Sequence, residues 1–95
     1  MADRESTLEA LNQVHQFPGP FTFKVIGTNS PEFVAQVAQA VVVVLGPKSL
    51  PEVTLRHSTG GKHQSITLVV RVQQAEDVLK VYECLGALGG VRFLL

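Results

Sequence analysis

Residues 17–33 read Phe-Pro-Gly-Pro-Phe-Thr-Phe-Lys-Val-Ile-Gly-Thr-Asn-Ser-Pro-Glu-Phe, and they dictate a strand, a turn and a capped helix start in one stretch. Phe21, Phe23 and Val25 alternate with Thr22, Lys24 and Ile26, the period-2 pattern of a half-buried strand. Gly27 and Asn29 close that strand. Ser30 is suited to accept from the first free N–H groups of a helix, and Pro31 follows where a missing N–H costs nothing.

The rest of the chain is read outward from there. Ninety-five residues make one domain, with one core and no room for a deep enclosed active site besides. An apolar content of 45% with clear periodicity argues for a folded chain. Eight basic and eight acidic residues cancel, so no overall field draws the molecule to nucleic acid or membrane. The single cysteine, Cys84, excludes an internal disulfide and reads as a small buried hydrophobe on a helix. The first residues lack a basic flank followed by an apolar run, and the run from Ala40 to Gly46 is too short to span a bilayer. A soluble, cytoplasmic protein is expected.

Residues 1–16 form a polar tail, flexible or a short helix, with Ser6 and Glu9 as a capping box. Pro18 and Pro20 then set an extended run-in to the first strand, about 20–27. Segment 31–45 carries a β-branched run, Val41 to Val44, that by composition favours a strand. Phe33, Val37, Val41 and Val44 nevertheless recur at helical spacing and Gly46-Pro47 supplies a stop, so the spacing predicts a helix. A second strand follows over about 52–58 and a third over about 64–72. Ser58 to His63 reverses the chain between them, with Gly60 and Gly61 offering positive φ. Val78, Leu79, Tyr82, Leu85 and Leu88 mark a helix over about 74–87, and Val91 to Leu95 a final strand.

The order β-α-β-β-α-β over residues 17–95 predicts a single α+β domain, a ferredoxin-like two-layer sandwich. Its antiparallel sheet would run in strand order 4-1-3-2, with two helices on one face. The inward side then holds Phe21, Phe23, Val25, Val53, Leu55, Ile66, Leu68, Val70, Val91, Phe93 and Leu95. The opposite face displays Lys24, Arg56, Arg71 and Arg92 among Thr22, Ile26, Thr54, Thr67, Val69 and Leu94, with no acid and no aromatic. These four cations make a candidate partner surface. Without an aromatic platform, single-stranded nucleic acid is the weaker reading of that face.

Few constellations carry chemistry. Gly46-Pro47-Lys48-Ser49 ends like a phosphate loop but lacks the leading glycine spacing and follows a helix. His15, His57 and His63 have no cysteine or carboxylate at ligand spacing, so no metal site or cofactor is expected. No Ser or Cys has a base in any readable pattern, and catalysis is not expected. The hairpin Ser58-Thr59-Gly60-Gly61-Lys62-His63 is rich in donors that suit an anion, although a tight turn wants the same glycines. Gly27, Thr28, Asn29 and Ser30 join the first strand to a helix N-terminus and are the candidate effector loop.

Phe17-Pro-x-Pro-Phe-Thr-Phe-Lys-Val-x-Gly27, then Pro31-Glu32, Ser65 after a Gly-Lys hairpin, Tyr82-Glu-x-Leu-Gly86 and Val91-Arg92 together resemble the YbeD family. These are small bacterial proteins of loosely assigned function, sometimes called lipoate regulatory proteins. The resemblance runs from Phe17 to Leu95. His63 departs from it, standing where the family pattern has an aromatic, usually Tyr. The resemblance implies a fold similar to ACT-type regulatory domains and a regulatory role, and it brings no catalytic residues. Three expectations follow: a non-catalytic regulatory or interaction domain, a nucleic-acid-binding module using the basic face, or a structural dimerisation module.

Overall fold

A computed structural model describes residues 3–95. Met1 and Ala2, which open the tail read above for a leader, lie outside the described residues. The elements run α1 (Arg4–Val14), β1 (Gly19–Thr28), α2 (Pro31–Leu45), β2 (Glu52–His57), β3 (His63–Val72), α3 (Ala75–Gly86) and β4 (Val91–Leu94). The four strands make one antiparallel sheet in the order β2-β3-β1-β4, so β3 and β1 are central as the sequence predicts. Three helices and one such sheet make the chain α+β. No helix is long and apolar enough to cross a membrane, among the described residues.

Each boundary has a local cause. Ser30 caps α2, its Oγ accepting from the Phe33 N–H at 3.1 Å, and Pro31 occupies the first helical position. Gly46 ends that helix at φ 98°, a backbone conformation open mainly to glycine. The β-branched last turn of α2 is helical after all. Val41 is buried on the stripe that Phe33 and Val37 begin, and Val44 and Leu45 pack partly on the core, so burial of one side of this turn overrides its strand preference.

The core is one cluster. Phe21, Phe23 and Val25 of β1 and Ile66, Leu68, Val70 and Val72 of β3 meet Phe33, Val37 and Val41 of α2 and Val78, Val81 and Leu85 of α3. All the strand residues in it share one parity, so α2 and α3 cover the same face of the sheet. The α3 stripe is Ala75, Val78, Val81 and Leu85, one position out of phase with the predicted Leu79 and Tyr82. Tyr82 lies half-buried, its ring edge-on to Phe23 at 5.3 Å and its hydroxyl donating to the Leu95 carbonyl at 3.1 Å. Cys84 is half-buried rather than part of that core; it lines a groove of about 540 Å³ between α2 and α3 with Ala40, Val43 and Leu88.

Four details differ from the sequence reading. The first helix begins earlier than the Ser6–Glu9 box implies, because Asp3 is its cap and accepts from the Ser6 N–H at 2.7 Å. In the hairpin only Gly61 has positive φ, at 73°. Val53 and Leu55 do face the helix side, opposite Leu68 and Ile66, yet they stay 37% and 43% exposed because β2 is an edge strand beyond the helices' reach. The fourth is the register of β4. Val25 pairs with Leu94 and Ile26 with Phe93, but Gly27 pairs with Val91, so β4 carries a bulge. The extra residue reverses the parity. Leu94 turns toward the core, whereas Phe93 and Leu95 are exposed on the open side at 56% and 63%.

Candidate effector loop and open sheet face

The loop Gly27–Ser30 is tied to three other segments. Gly27 leaves no space for a side chain, since a Cβ there would meet the Gly90 carbonyl and the Phe33 ring. Thr28 donates its N–H to the Gly90 carbonyl at 3.1 Å, fastening the loop to the start of β4. Asn29 bonds to the hairpin twice, through its N–H to the Lys62 carbonyl at 3.3 Å and its side-chain amide to the Gly61 carbonyl at 2.8 Å. The Asn29 Oδ1 also lies 2.9 Å from the His57 Nδ1 at the end of β2.

The fourth tie comes from inside. Among the described residues Gln64 is the one buried polar residue, 2% exposed at the head of β3. Its side-chain amide donates to the carbonyl oxygens of both Thr28 and Ser30, at 3.0 and 3.1 Å. Each of these carbonyls also accepts from a main-chain N–H, of Ser30 at 3.1 Å and of Val34 at 3.3 Å, so one side chain gives a second donor to two acceptors of the strand-to-helix turn. Sequence reasoning missed Gln64 as a site residue. The signal was its parity, since Gln64 begins the series Ile66, Leu68, Val70 and Val72 that points inward.

Two depressions flank this end of the sheet, one on each side. The loop groove, about 270 Å³, lies on the helix side between Ser30, Pro31 and Val34 and the edge residue Leu55. The hairpin pocket, about 280 Å³, opens on the other face among Ile26, Arg56, Ser58, Thr59, His63 and Ser65. His57 and Gln64 line both. The predicted effector loop thus sits at the edge of a groove, and the groove wall opposite is apolar.

The four predicted cations do not form one patch. Arg56, Ser65, Ile26 and Phe93 stand in one row across the sheet, each opposite the next. Lys24 is in the adjoining row, with Thr54 and Thr67. Arg71 pairs with Pro20, six residues from Ser65 along β3 and so about 20 Å away. Arg92 falls at the bulge, with no partner across the pair. The face also differs in two ways from the predicted one. Glu52 joins it, opposite Val69, so an acid is present; Phe93 joins it as well, so an aromatic is present. Among the described residues the ion pair is Arg4 with Glu83, at 3.1 Å on the surface, and Lys24, Arg56, Arg71 and Arg92 have no acidic partner.

No group of three or more His, Cys, Asp or Glu side chains that could hold a metal occurs among the described residues.

Comparison with known proteins bears on the chain as a whole. The family described as "Protein of unknown function (DUF493)" matches residues 12–95. A protein called UPF0250 protein YbeD from Escherichia coli O1:K1 is 35% identical over 85 residues, which is 90% of this chain and 95% of that protein. The protein of the same name from Shigella boydii serotype 18 shows the same identity and coverage.

Proposed function

The chain belongs to the DUF493 family, whose description is of unknown function, and we propose from its geometry that it is a small non-catalytic regulatory domain. It binds a small effector in the loop groove and presents its open face to a protein partner. The fold underlying this reading is ferredoxin-like, supported by the β-α-β-β-α-β core and the 2-3-1-4 sheet order. An ACT-like regulatory role is part of the same proposal.

The observation that carries it is the coupling of residues 27–30. One short loop beside an open groove is bonded to β4, the hairpin, β2 and the buried Gln64. A ligand seated against Ser30 and Pro31 would press on a loop whose displacement strains all four. Binding would then be felt at the exposed sheet edge and on the open face, which is what a regulatory module requires.

The test is native mass spectrometry of the protein isolated from its own cells, beside a Val34→Trp variant that fills the groove. A small molecule retained by the wild type and lost from the variant is expected. Retention by both variants, or by neither, counts against the groove. For the partner surface, Lys24→Gln with Arg71→Gln should weaken co-purification of a protein partner while the domain stays folded. Unchanged pull-down would remove the basic face from the reading.

A second reading, nucleic-acid binding, gains from one observation: Phe93 is exposed in the row that contains Arg56. A base could stack on Phe93 while Lys24, on the same face and bonded through its backbone to Leu95, meets its phosphate. This reading requires a gel shift at low salt that fades steeply as salt rises, and no shift at low salt would end it.

A further inference from the structure

We infer that the hairpin pocket on the open face is a binding site for a small oxyanion, a phosphate or carboxylate group held by Arg56 and Ser65. The pocket lies across the sheet from the loop groove and does not depend on what occupies that groove. Its chemistry is one-sided. Arg56, His63 and the hydroxyl-bearing Ser58, Thr59 and Ser65 line it with Ile26, His57 and Gln64, and no carboxylate does.

Ser65 is the telling residue. Its Oγ is buried and has no hydrogen-bond partner, which is an unfavourable way to leave a hydroxyl unless something outside the chain completes it. The neighbour directly opposite Ser65 on β2 is Arg56, and the neighbour on β1 is Ile26. A guanidinium without an acidic partner therefore stands beside a hydroxyl with a proton to give. The same pairing of a fixed cation with short donors recognises carboxylate and phosphate oxygens elsewhere in proteins.

The hairpin completes the wall. Ser58 Oγ already accepts from the His63 N–H at 3.3 Å, which orients it and leaves its own proton free. The Ser58 N–H to His63 carbonyl bond at 3.0 Å and the Gly61 N–H to Ser58 carbonyl bond at 3.0 Å fix the turn. Donors on β2, the turn and β3 thus converge on one depression. A water molecule there would meet Ser65 alone, whereas an oxyanion could accept from Ser65 and from the Arg56 guanidinium together.

The test is a titration followed by amide NMR, with sodium phosphate in one arm, sodium acetate in a second and sodium chloride at matched ionic strength in a third. Saturable shifts at Arg56, Ser58, Thr59, His63 and Ser65 are expected with phosphate or acetate, and not with chloride. The arm that binds more tightly identifies the anion. Arg56→Gln, at an exposed position, should weaken binding at least about tenfold. Ser65→Ala should also weaken binding while raising the thermal midpoint, since it removes an unpartnered hydroxyl. Equal shifts in the chloride arm, no shifts with either oxyanion, or undiminished affinity in Arg56→Gln would overturn the site.

Discussion

The side-chain amide of Gln64 lies 3.1 Å from the carbonyl oxygen of Ser30, so a residue of β3 holds the residue that caps α2. The second bond of the same amide, to Thr28, secures the other end of the turn. Sheet, loop and helix start are joined through one buried polar group. The loop is therefore a taut connection, and its geometry depends on the head of β3.

Replacing Gln64 by Leu keeps the volume near constant and removes both donors. The carbonyls of Thr28 and Ser30 each lose one of two donors and keep the main-chain one, at a cost of about 1–2 kcal/mol in all. Urea denaturation should report that loss, and hydrogen exchange should show the amides around Ser30 opening more than those of the central strands. A uniform rise in exchange across the whole sheet would contradict a local clamp.

Gly27 is required for space and not for backbone freedom, because it is absent from the positive-φ glycines. An added Cβ would stand 2.6 Å from the Phe33 ring and closer still to the Gly90 carbonyl. Gly27→Ala should cost about 1–3 kcal/mol, the range for forcing a methyl into a filled site. Gly60 offers the control, with nothing near its missing Cβ and no positive φ. Gly60→Ala should change stability by less than about 0.5 kcal/mol in the same denaturation measurement. Equal effects at the two positions would place the Gly27 requirement elsewhere.

Much of this was legible in the sequence because the signals were local. Ser30-Pro31 announces the start of α2, and alternation along 21–25 and 66–70 sorts the central strands into two faces without reference to anything distant. The β4 register was not local. Alternation counted from Val91 puts Phe93 inside, and only the pairing with β1 reveals the extra residue that reverses it. Val53 and Leu55 failed for a related reason: their parity was right, but parity does not say whether a helix reaches the edge strand. At the site, the loop was found from its position between a strand and a helix start. Gln64 is harder to find, because only its parity with Ile66 and Leu68 marks it as buried, and parity does not say which main-chain carbonyls its amide meets.

The reversed register is itself testable. If Phe93 stands on the open face, Phe93→Ser removes little buried area and should change stability by less than about 1 kcal/mol. Phe23, fully buried, should cost about 3–5 kcal/mol on substitution by Ala. Urea unfolding of both variants decides the point, and a Phe93→Ser loss as large as that of Phe23→Ala would return Phe93 to the core.

Asp3 links the first helix to pH. Its carboxylate accepts from the Ser6 main-chain N–H at 2.7 Å and caps α1. That bond, with a lesser contribution from the Ser6 hydroxyl, holds the carboxyl below its ordinary value of 3.8. A depressed carboxylate stabilises the folded form above the ordinary value, and the benefit disappears as pH falls through the lowered one. The first turn of α1 should therefore loosen on acidification below about pH 4. Cα chemical shifts of Arg4 to Thr7 will report it, moving toward coil values while those of β1 and β3 hold. Asp3→Asn retains an acceptor that cannot ionise, so the turn should persist and its local pH dependence vanish. Asp3→Ala should loosen the turn at every pH. If the wild-type shifts stay fixed through the acid range, the cap does not depend on the charge, and its stability comes from the packing of Leu11 on the core instead.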